Sequence, residues 1–537
     1  MKRANLWAWW GWEPLCFYES CGLIAPGLAG EKSDFLKKWW RAIHSEEVVE
    51  WAAGFGIDRA VTHFQKGFGP ACEKEGMAQT AELAKLLHKH GIGVFGYLQY
   101  GSLFAKTFFR EFPEAEKWCA VDENGAYRRW CGRQERLMPC PESAEFLAYL
   151  KRQIRTALTD CGLDGLHFDN FYSPPCYCPR CRKAFGEELP PPGDDGEPGR
   201  RWAEFRSRRL AERMEELTAC ARSFRGDVEL IWNPGAISPR SDQAMARSAD
   251  FVKLGPVAGL LWCEGANFPR ILENTAVHQV NYFKTGEALG FRQFPTSWIY
   301  SGEDSRLAQT DFEVTLSFAE SVAFHAVPGS NWLLRPARLK HFCAEDDALS
   351  GAFRDCAAFF RRYADLFENS VSKADIAIEV EPEALRRTYF PFNDALLAVE
   401  QLLLENHRPF DLCFRKAPSR YGHRLRLGRE IPVDAGWGKK KGTLDADVVF
   451  APRDAAARDL LARLPREEIK APPTVFLSHR QLPDGREMLH LLNYNAPAKA
   501  VARLSRKWQG AVLLQPGKQP GTAGTEVAVP VWCVLIR

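Results

Sequence analysis

Short apolar runs alternate with amphipathic stretches over the first 370 residues of the chain. The apolar runs are typical of buried parallel strands, and the stretches between them have the spacing of helices that cover such strands. We predict eight strands, at 5–13, 58–63, 92–100, 165–169, 228–233, within 251–264, 291–299 and 327–333. Eight strand and helix units favour a closed (β/α)8 TIM barrel over the alternative, a doubly wound open sheet.

The pattern restarts near Ser372 and changes again near Pro472. Predicted strands at 376–381, 409–414 and 446–451, with helices at 393–406 and up to 464, indicate a small flavodoxin-like α/β domain. The last predicted strands have no helices between them and indicate a C-terminal β-sandwich: 474–480, 487–494, 500–505, 511–515 and 526–536. Asp484-Gly485 is a hairpin signal between the first two of these strands. The predicted domains are therefore 1–370, 371–470 and 471–537.

Composition narrows the class of protein. Of the 537 residues, 46% are hydrophobic and 26% are charged, as in ordinary globular proteins, and the formal net charge is only +3. This charge argues against a nucleic-acid partner, and no run of about 18 apolar residues predicts a membrane span. The first residues lack the pattern of a signal peptide, so we expect a cytoplasmic protein with reduced cysteines. The 17 tryptophans suit a site that stacks sugar rings, although they also suit a core.

Chemistry in a barrel of this kind lies at the carboxyl ends of the strands. We therefore consider the polar and aromatic residues that follow each apolar run. They are Glu13, His63, Lys66, Tyr100, Asp169, Asn170, Asn233, Glu264, Trp298 and Asn331.

Three cysteines, Cys176, Cys178 and Cys181, stand within six residues of one another shortly after Asp169. This spacing favours a tetrahedral Zn²⁺ site with thiolate ligands, which needs a fourth cysteine. Cys140 is our choice, with Cys131 and Cys119 as alternatives. Four thiolates leave no position for water, so such a zinc ion would be structural. The alternative is a set of buried thiols without metal.

The segment Asp164-Gly165-Leu166-His167-Phe168-Asp169-Asn170 and the cysteines after it resemble the fourth-strand region of family 42 β-galactosidases. They resemble even more the uncharacterised glycosidase-like barrels that have Asp-Gly-x-x-x-Asp before Cys-x-Cys-x-x-Cys. The resemblance implies a glycoside hydrolase-like barrel, a zinc ligand at Cys140, and an oligomerisation domain at 371–470. It therefore implies a homo-oligomer, either a dimer or a trimer.

This chain departs from the galactosidases at two positions. It has Phe171 where they have their acid glutamate, and the strand-seven run 294–298 has no carboxylate for their nucleophile. The chemistry therefore depends on the other residues that are present.

Glycoside hydrolysis requires one group that protonates the leaving oxygen and one that stabilises or attacks the anomeric carbon. We predict Asp169 as the nucleophile or stabilising carboxylate and Glu264 as the acid/base. Glu13 follows a tryptophan-rich strand that would raise its pKa, so it is a further candidate acid. The alternative for Asp169 is a carboxylate that caps a loop or orients His167. The alternative for Glu264 is a surface loop residue, and that for Glu13 is an ion pair at the rim.

His63 and Lys66 can donate hydrogen bonds to sugar hydroxyls or to a carboxylate, and a simple turn is the alternative. Four arginines lie in the segment after strand three, and two of them, Arg129 and Arg133, are our candidates for binding an acidic sugar. A solvated basic loop is the alternative for these arginines. Tyr100, Asn170, Asn233, Trp298 and Asn331 are predicted hydroxyl or ring contacts, with simple packing as the alternative.

The function predicted from the sequence is a glycoside hydrolase that removes a terminal sugar from an oligosaccharide or glycoside. Two alternatives remain open. One is a sialidase-like exo-glycosidase whose arginines bind the carboxylate of an acidic sugar. The other is a non-catalytic carbohydrate-binding protein that retains the barrel. Only a structural zinc ion is expected as cofactor.

Overall fold

The structure is a computed structural model that describes residues 6–10, 16, 40–132, 135–235, 247–262, 269–272, 275–294, 298–299, 310–328, 331–333, 348–383, 389–429, 455–465, 469–496 and 498–537. Three candidate site residues, Glu13, Arg133 and Glu264, lie outside these residues. The strand predicted at 446–451 lies outside them as well.

A parallel sheet occupies the first part of the chain. Its strands are β1 (Trp7–Trp9), β2 (Arg59–Gln65), β3 (Gly93–Gln99), β4 (Gly165–Asp169), β5 (Glu229–Trp232), β6 (Leu260–Trp262), β7 (Arg292–Phe294), β8 (Trp298–Ile299) and β9 (Asn331–Leu333). Their order in space is β7, β6, β5, β4, β3, β2, β1, β9, β8. Apart from the division of one strand, this sequence of neighbours follows the predicted order.

The strand predicted at 291–299 consists of two short strands, and these close the barrel. Arg292 in β7 pairs with Leu260 in β6, at one end of the strand order. Trp298 in β8 pairs with Asn331 in β9, at the other end. The segment that contains β7 and β8 therefore pairs with β6 on one side and with β9 on the other, which closes the ring of strands. The prediction of a (β/α)8 barrel is confirmed.

Helices lie between the barrel strands, and one follows the last strand. They are α1 (Glu46–Gly54), α2 (Pro70–Lys89), α3 (Ala105–Glu111), α4 (Ala144–Arg155), α5 (Pro179–Phe185), α6 (Glu197–Phe224), α7 (Phe251–Ala258), α8 (Val280–Leu289), α9 (Asp311–Ala323) and α10 (Ala348–Glu368). Local sequence fixes where several of them begin. Ser143 caps α4, and Thr310 forms a capping box with Glu313 at the start of α9, so free backbone N–H groups there are satisfied.

Aromatic side chains fill the barrel interior. Trp7, Trp9, Phe95 and Trp262 pack together there in one buried cluster, and the rings of Trp9 and Trp262 meet edge to face with centroids 4.4 Å apart. These tryptophans therefore form core, which was the alternative to a stacking role in the sequence analysis.

A second, three-stranded parallel sheet follows the barrel. It contains β11 (Ile376–Glu379), β12 (Phe410–Cys413) and β13 (His423–Arg426), with β11 in the centre. Helix α11 (Tyr389–Glu405) connects β11 to β12, and α12 (Ala455–Ala462) follows later in the chain. The central position of the first strand of this sheet is that of a flavodoxin-like fold, as predicted.

Two antiparallel sheets form the C-terminal region. The larger contains β10 (Val371–Ser372), β15 (Val475–Gln481), β16 (Glu487–Asn493), β21 (Trp532–Ile536), β18 (Val512–Leu514) and β19 (Gly521–Thr522), in that order. The smaller contains β14 (Ile469–Lys470), β17 (Ala500–Leu504) and β20 (Glu526–Val529). Leu477 and Leu491 of the larger sheet share one buried cluster with Ala502 and Val527 of the smaller. The predicted sandwich is confirmed.

One predicted C-terminal strand is wrong in its length. The run 526–536 is two strands that belong to different sheets, because β20 pairs with β17 whereas β21 pairs with β16 and β18. Pro530 separates them, and proline has no N–H to offer to a strand ladder.

Among the described residues, no helix is both long enough and apolar enough to cross a membrane.

Candidate functional site

Asp169 is the last residue of β4, at the carboxyl end of the barrel. Its register partner on β3 is Gln99, and its side chain is only 7% exposed. Its Oδ2 accepts hydrogen bonds from the Tyr97 hydroxyl and from Nδ2 of Asn170, and its Oδ1 accepts one from Nδ2 of Asn233 at 2.7 Å. Both carboxylate oxygens of Asp169 are therefore held in place by donors from three different segments.

The backbone around Asp169 is shaped for close approach. Asn170 has a φ of 52°, a left-handed conformation that asparagine tolerates better than most residues. A Cβ atom on Gly101 would lie 2.6 Å from the Cβ of Asn170, so only glycine fits at that position. Asn233 joins this arrangement through its main chain, because its carbonyl accepts from the Phe171 N–H at 2.6 Å.

Burial raises the pKa of Asp169 above its ordinary value. The hydrogen bond from Tyr97 and the charge of Lys66 oppose this rise, as does the amide of Asn233. The ammonium of Lys66 lies 5.3 Å from the centre of the Tyr97 ring, which is cation–π distance. Lys66, Tyr97, Asn170 and Asn233 are thus brought together with Asp169 in one polar group.

The loop that carries Lys66 is held by hydrogen bonds with two side chains, those of Glu73 and Arg136. Oε1 of Glu73 accepts from the Lys66 N–H at 2.5 Å, and Oε2 accepts from the Phe68 N–H at 3.1 Å. The Arg136 guanidinium donates to the Lys66 carbonyl and to the Ser102 hydroxyl, both at 3.1 Å. These bonds fix the main chain of Lys66 beside the barrel mouth.

Beneath Asp169, the barrel interior is aromatic and buried. The His167 ring is stacked on Tyr97 at 5.4 Å and meets Trp9 and Trp262 edge to face at 5.0 and 5.2 Å. Burial lowers the pKa of His167 to about 3, so the ring is neutral at pH 7. This floor keeps the carboxylate in a desolvated setting, in which charges interact more strongly than in water.

The side chains of two predicted ligand residues are directed away from the Asp169 carboxylate, although the Tyr100 N–H donates to the Asp169 carbonyl at 2.9 Å. His63 is fully buried, and its Nε2 lies 3.8 Å from Oε1 of Glu73. The Tyr100 ring packs against Phe146 and Phe171 in the layer between strands and helices, and burial raises its pKa to about 12. The contacts of Tyr100 favour its packing alternative, and the His63 side chain is directed to Glu73.

The arginines of the segment after β3 have separate environments. Arg136 is buried and donates to the Lys66 carbonyl. Arg128 donates to the Pro175 carbonyl at 3.3 Å and to Glu123 at 3.4 Å. Arg129 is exposed, and its backbone bridges to Leu137. The described arginines of this segment therefore do not form a single cluster.

Trp298 and Asn331 are register partners in β8 and β9, so they are neighbours in the barrel wall. Phe171 is fully buried, with ring centroids 4.5 Å from Tyr100 and 4.5 Å from Trp232. Its position is a packing position.

Two residues of this site were missed in the sequence analysis, Tyr97 and Gln99. Side chains alternate along a strand, so residues 95, 97 and 99 share the inward face on which Asp169 lies. The rule that chemistry follows the apolar run selects Tyr100, whose side chain faces outward. It leaves out the last two inward-facing residues of β3, Tyr97 and Gln99. The alternation was the signal that could have found them.

The four predicted metal ligands do come together. The Sγ atoms of Cys140, Cys176, Cys178 and Cys181 all lie within 4.8 Å of one another, and all four residues are buried. Sγ of Cys140 lies 3.5 Å from those of both Cys178 and Cys181. Thiolates about 2.3 Å from a tetrahedral zinc ion would be separated by about this spacing. This buried four-cysteine cluster can therefore hold a metal ion, and Cys140 is the fourth member.

No family model matches this chain, and no curated protein does either. Solved structures do match over nearly the whole length. A β-galactosidase from Bacillus circulans sp. alkalophilus has a TM-score of 0.67 and 13% identity, covering 93% of this chain and 97% of its own. Gan42B, a GH42 β-galactosidase from G. stearothermophilus, has a TM-score of 0.66 and 12% identity over 99% of this chain and 98% of its own.

An α-L-fucosidase, isoenzyme 2 from Paenibacillus thiaminolyticus, matches as well, with a TM-score of 0.63 and 12% identity over 99% of both chains. Galactosidases and a fucosidase thus share this architecture although few of their residues are the same. The chain therefore has the fold of these glycosidases, with a (β/α)8 barrel like that of the GH42 structures, followed by an α/β region and a β-rich C-terminal region.

Proposed function

We propose that this protein is an exo-acting glycoside hydrolase that removes a terminal sugar at the barrel mouth. The observation that carries the proposal is the carboxylate of Asp169, which is buried at the end of β4 and receives hydrogen bonds from Tyr97, Asn170 and Asn233. A carboxylate held in a desolvated site can stabilise the positive charge that develops on the sugar in the transition state. The likeness to known glycosidases supports the reaction class through the fold alone.

In the proposed reaction, Asp169 is the nucleophile or the stabilising carboxylate. As the bond between the anomeric carbon and the leaving oxygen breaks, an acid must give its proton to that oxygen. We propose Glu264 for this role, with Glu13 as the next candidate, as predicted from their positions after strands six and one. Lys66 and Asn233 lie close enough to Asp169 to contact the same sugar.

The test is a panel of nitrophenyl glycosides, neutral and acidic, assayed with the wild type and Asp169→Asn. Asparagine keeps the shape of the side chain but cannot attack or carry the charge. We expect hydrolysis of at least one glycoside by the wild type and loss of about 1000-fold or more in Asp169→Asn. Equal activity of the two proteins on every hydrolysed substrate would exclude the role of Asp169.

The same panel distinguishes the two alternatives. Preference for an acidic glycoside would favour the sialidase-like hypothesis, and Lys66 and Arg129 are then the cations to test. A wild type that binds a sugar in calorimetry and hydrolyses none of the panel would favour a carbohydrate-binding protein.

We further propose that the four-cysteine cluster binds a structural zinc ion through Cys140, Cys176, Cys178 and Cys181. Four thiolates occupy all positions of a tetrahedral zinc ion, so the ion would stabilise loops beside β4 and take no part in turnover. A zinc site made of thiolates needs reduced cysteines, so we propose a reducing compartment such as the cytoplasm.

We also propose a homo-oligomer, a dimer or trimer, with the region 371–470 as the contact. This proposal rests on the resemblance to the oligomerisation domain of the galactosidases. Light scattering at micromolar concentration should give a mass of two or three times 60.7 kDa. A mass near that of a single chain would contradict it.

A further inference from the structure

Gln99 ends β3 directly beside Asp169, its register partner on β4. Its side chain is only 4% exposed. Among the described residues, Nε2 of Gln99 has no hydrogen-bond partner. An amide N–H2 that is buried and unpaired is uncommon, because it loses its bonds to water and gains none from the protein.

The orientation of the Gln99 amide follows from its neighbours. An ionised Asp169 only accepts hydrogen bonds, so the group of Asn170 that meets Oδ2 must be its Nδ2 amide. The same Nδ2 lies 3.5 Å from Oε1 of Gln99, and the Tyr97 hydroxyl also lies 3.5 Å from that oxygen. The Gln99 oxygen therefore faces Asn170 and Tyr97, which leaves the N–H2 group as the unpaired end.

Gln99 lies beside the Asp169 carboxylate, because the two residues share their neighbours. The Tyr97 hydroxyl and Nδ2 of Asn170 donate to Oδ2 of Asp169, and both lie 3.5 Å from Oε1 of Gln99. A sugar that reacts at this carboxylate would therefore lie near the unpaired amide of Gln99.

We propose that Nε2 of Gln99 donates a hydrogen bond to a hydroxyl of the sugar that reacts at Asp169, which makes Gln99 a specificity-determining residue. The inference rests on the proposed glycosidase function and deepens it. A sugar ring presents hydroxyl oxygens on the carbons next to its anomeric carbon, and each can accept from an amide. A substrate that lacks this hydroxyl would leave the donor unpaired, as it is without ligand.

A second buried glutamine provides a matched control. Gln293 on β7 is 1% exposed, and neither Nε2 nor Oε1 has a hydrogen-bond partner among the described residues. Its register partner Leu261 packs in the layer between strands and helices, and its own Cγ is next to Gly286 of α8. Gln293 therefore faces away from the barrel interior in which Asp169 lies.

The experiment compares wild type, Gln99→Leu and Gln293→Leu on the nitrophenyl glycoside that the wild type hydrolyses fastest, and on each monodeoxy analogue of that glycoside. We expect Gln99→Leu to lower kcat/KM for the parent about tenfold, the effect of one lost hydrogen bond. For one deoxy analogue, wild type and Gln99→Leu should be equal. Gln293→Leu should keep the wild-type ratios of all the analogues to the parent.

A loss in Gln99→Leu that is the same factor on the parent and on every analogue would overturn the inference, and so would no loss at all. If Gln99→Leu fails to fold, Gln99→Met removes the same donor with an unbranched side chain of similar length. A wild type that hydrolyses no glycoside contradicts the proposed function instead. In that case calorimetry with free monosaccharides decides. Weaker binding by Gln99→Leu alone supports the inference, and equal binding or none by the wild type overturns it.

Discussion

The Tyr97 hydroxyl on β3 donates a hydrogen bond to Oδ2 of Asp169 on the adjacent strand β4, although the two residues are not register partners. Tyr97 pairs with His167, two residues before Asp169, so its side chain extends along the barrel axis to reach the carboxylate. Lys66 lies over the Tyr97 ring and lowers the pKa of Asp169 together with the hydroxyl. This relationship links the protonation of Asp169 to an aromatic residue of β3.

The substitution Tyr97→Phe should shift the acidic limb of the pH profile. Without the hydroxyl, the ionised form of Asp169 loses a hydrogen bond, so burial raises its pKa further. The ionised carboxylate is the active form, and the acidic limb of kcat/KM should therefore move to higher pH by about one unit. The measurement is kcat/KM from pH 4 to 8 on the best glycoside of the panel.

Tyr149→Phe is the control for this prediction. Tyr149 is also buried and loses a hydrogen bond, to Oε1 of Gln65 at 2.7 Å, but it makes no contact with Asp169. We expect its acidic limb to coincide with that of the wild type. A limb that moves equally in both variants would mean that the shift reflects general destabilisation.

The closed barrel could be predicted because the strand positions carry their own apolar signal, and the division of its seventh strand could not. Whether 291–299 forms one strand or two depends on pairing of Arg292 with Leu260 and of Trp298 with Asn331, which are contacts between distant segments. The charged strand β13 was not predicted either. Its only buried residue is Leu425, so it has no apolar run to identify it.

The site was predicted in part. Asp169, Asn170 and Asn233 follow apolar runs, and the rule that barrel chemistry lies after the strands selected them. Tyr97 and Gln99 lie within the run of β3 and need the alternation of side chains to be recognised. The four-cysteine cluster was predicted in full, because spacing in the sequence already brings three of its four thiols together.

Substitution of Cys178 by serine should remove bound zinc and destabilise the fold. Serine is a poor zinc ligand, and loss of a structural metal costs on the order of 4 kcal/mol of unfolding free energy or more. We expect about one zinc per wild-type chain by metal analysis, less in Cys178→Ser, and a lower melting temperature. Cys161→Ser, which changes a buried free thiol outside the cluster, should keep the metal. Equal zinc in all three proteins would contradict the site.

The contribution of the buried Glu320 to stability should fall as pH rises through the range 5 to 8. Burial raises the pKa of Glu320 to about 8, and its carboxyl accepts from the Tyr494 hydroxyl at 2.8 Å. Between the unfolded value of 4.5 and 8, the folded state holds a proton that the unfolded state has released. Each pH unit in that range therefore lowers the free energy of unfolding by up to about 1.4 kcal/mol for this group.

Glutamine does not titrate, so Glu320→Gln removes this contribution, and the free energy of unfolding of the wild type should fall relative to that of the variant as pH rises. Thermal melts at pH 5.5, 6.5 and 7.5 measure the slope. Glu188→Gln changes an exposed side chain and should keep the wild-type slope. Parallel declines in Glu320→Gln and wild type would show that another group binds the proton.

The acid/base is tested by the leaving group. Trp262 in β6 touches Trp9 and His167, so strand six ends beside the floor of the site, and Glu264 follows two residues later in the sequence. An acid gives its proton to the leaving oxygen, and a good leaving group departs without it. Glu264→Gln should therefore lose about 100-fold or more on an alkyl glycoside and much less on a nitrophenyl glycoside in the bond-breaking step.

Glu13→Gln serves as the matched comparison, because it changes the other candidate acid. If Glu264 is the acid, Glu13→Gln should lose the same factor on both substrates, or nothing. If the leaving-group dependence is found in Glu13→Gln and is absent from Glu264→Gln, the assignment is reversed. Asp169→Asn should fail on both substrates in either case, because the charge on the sugar develops whatever the leaving group is.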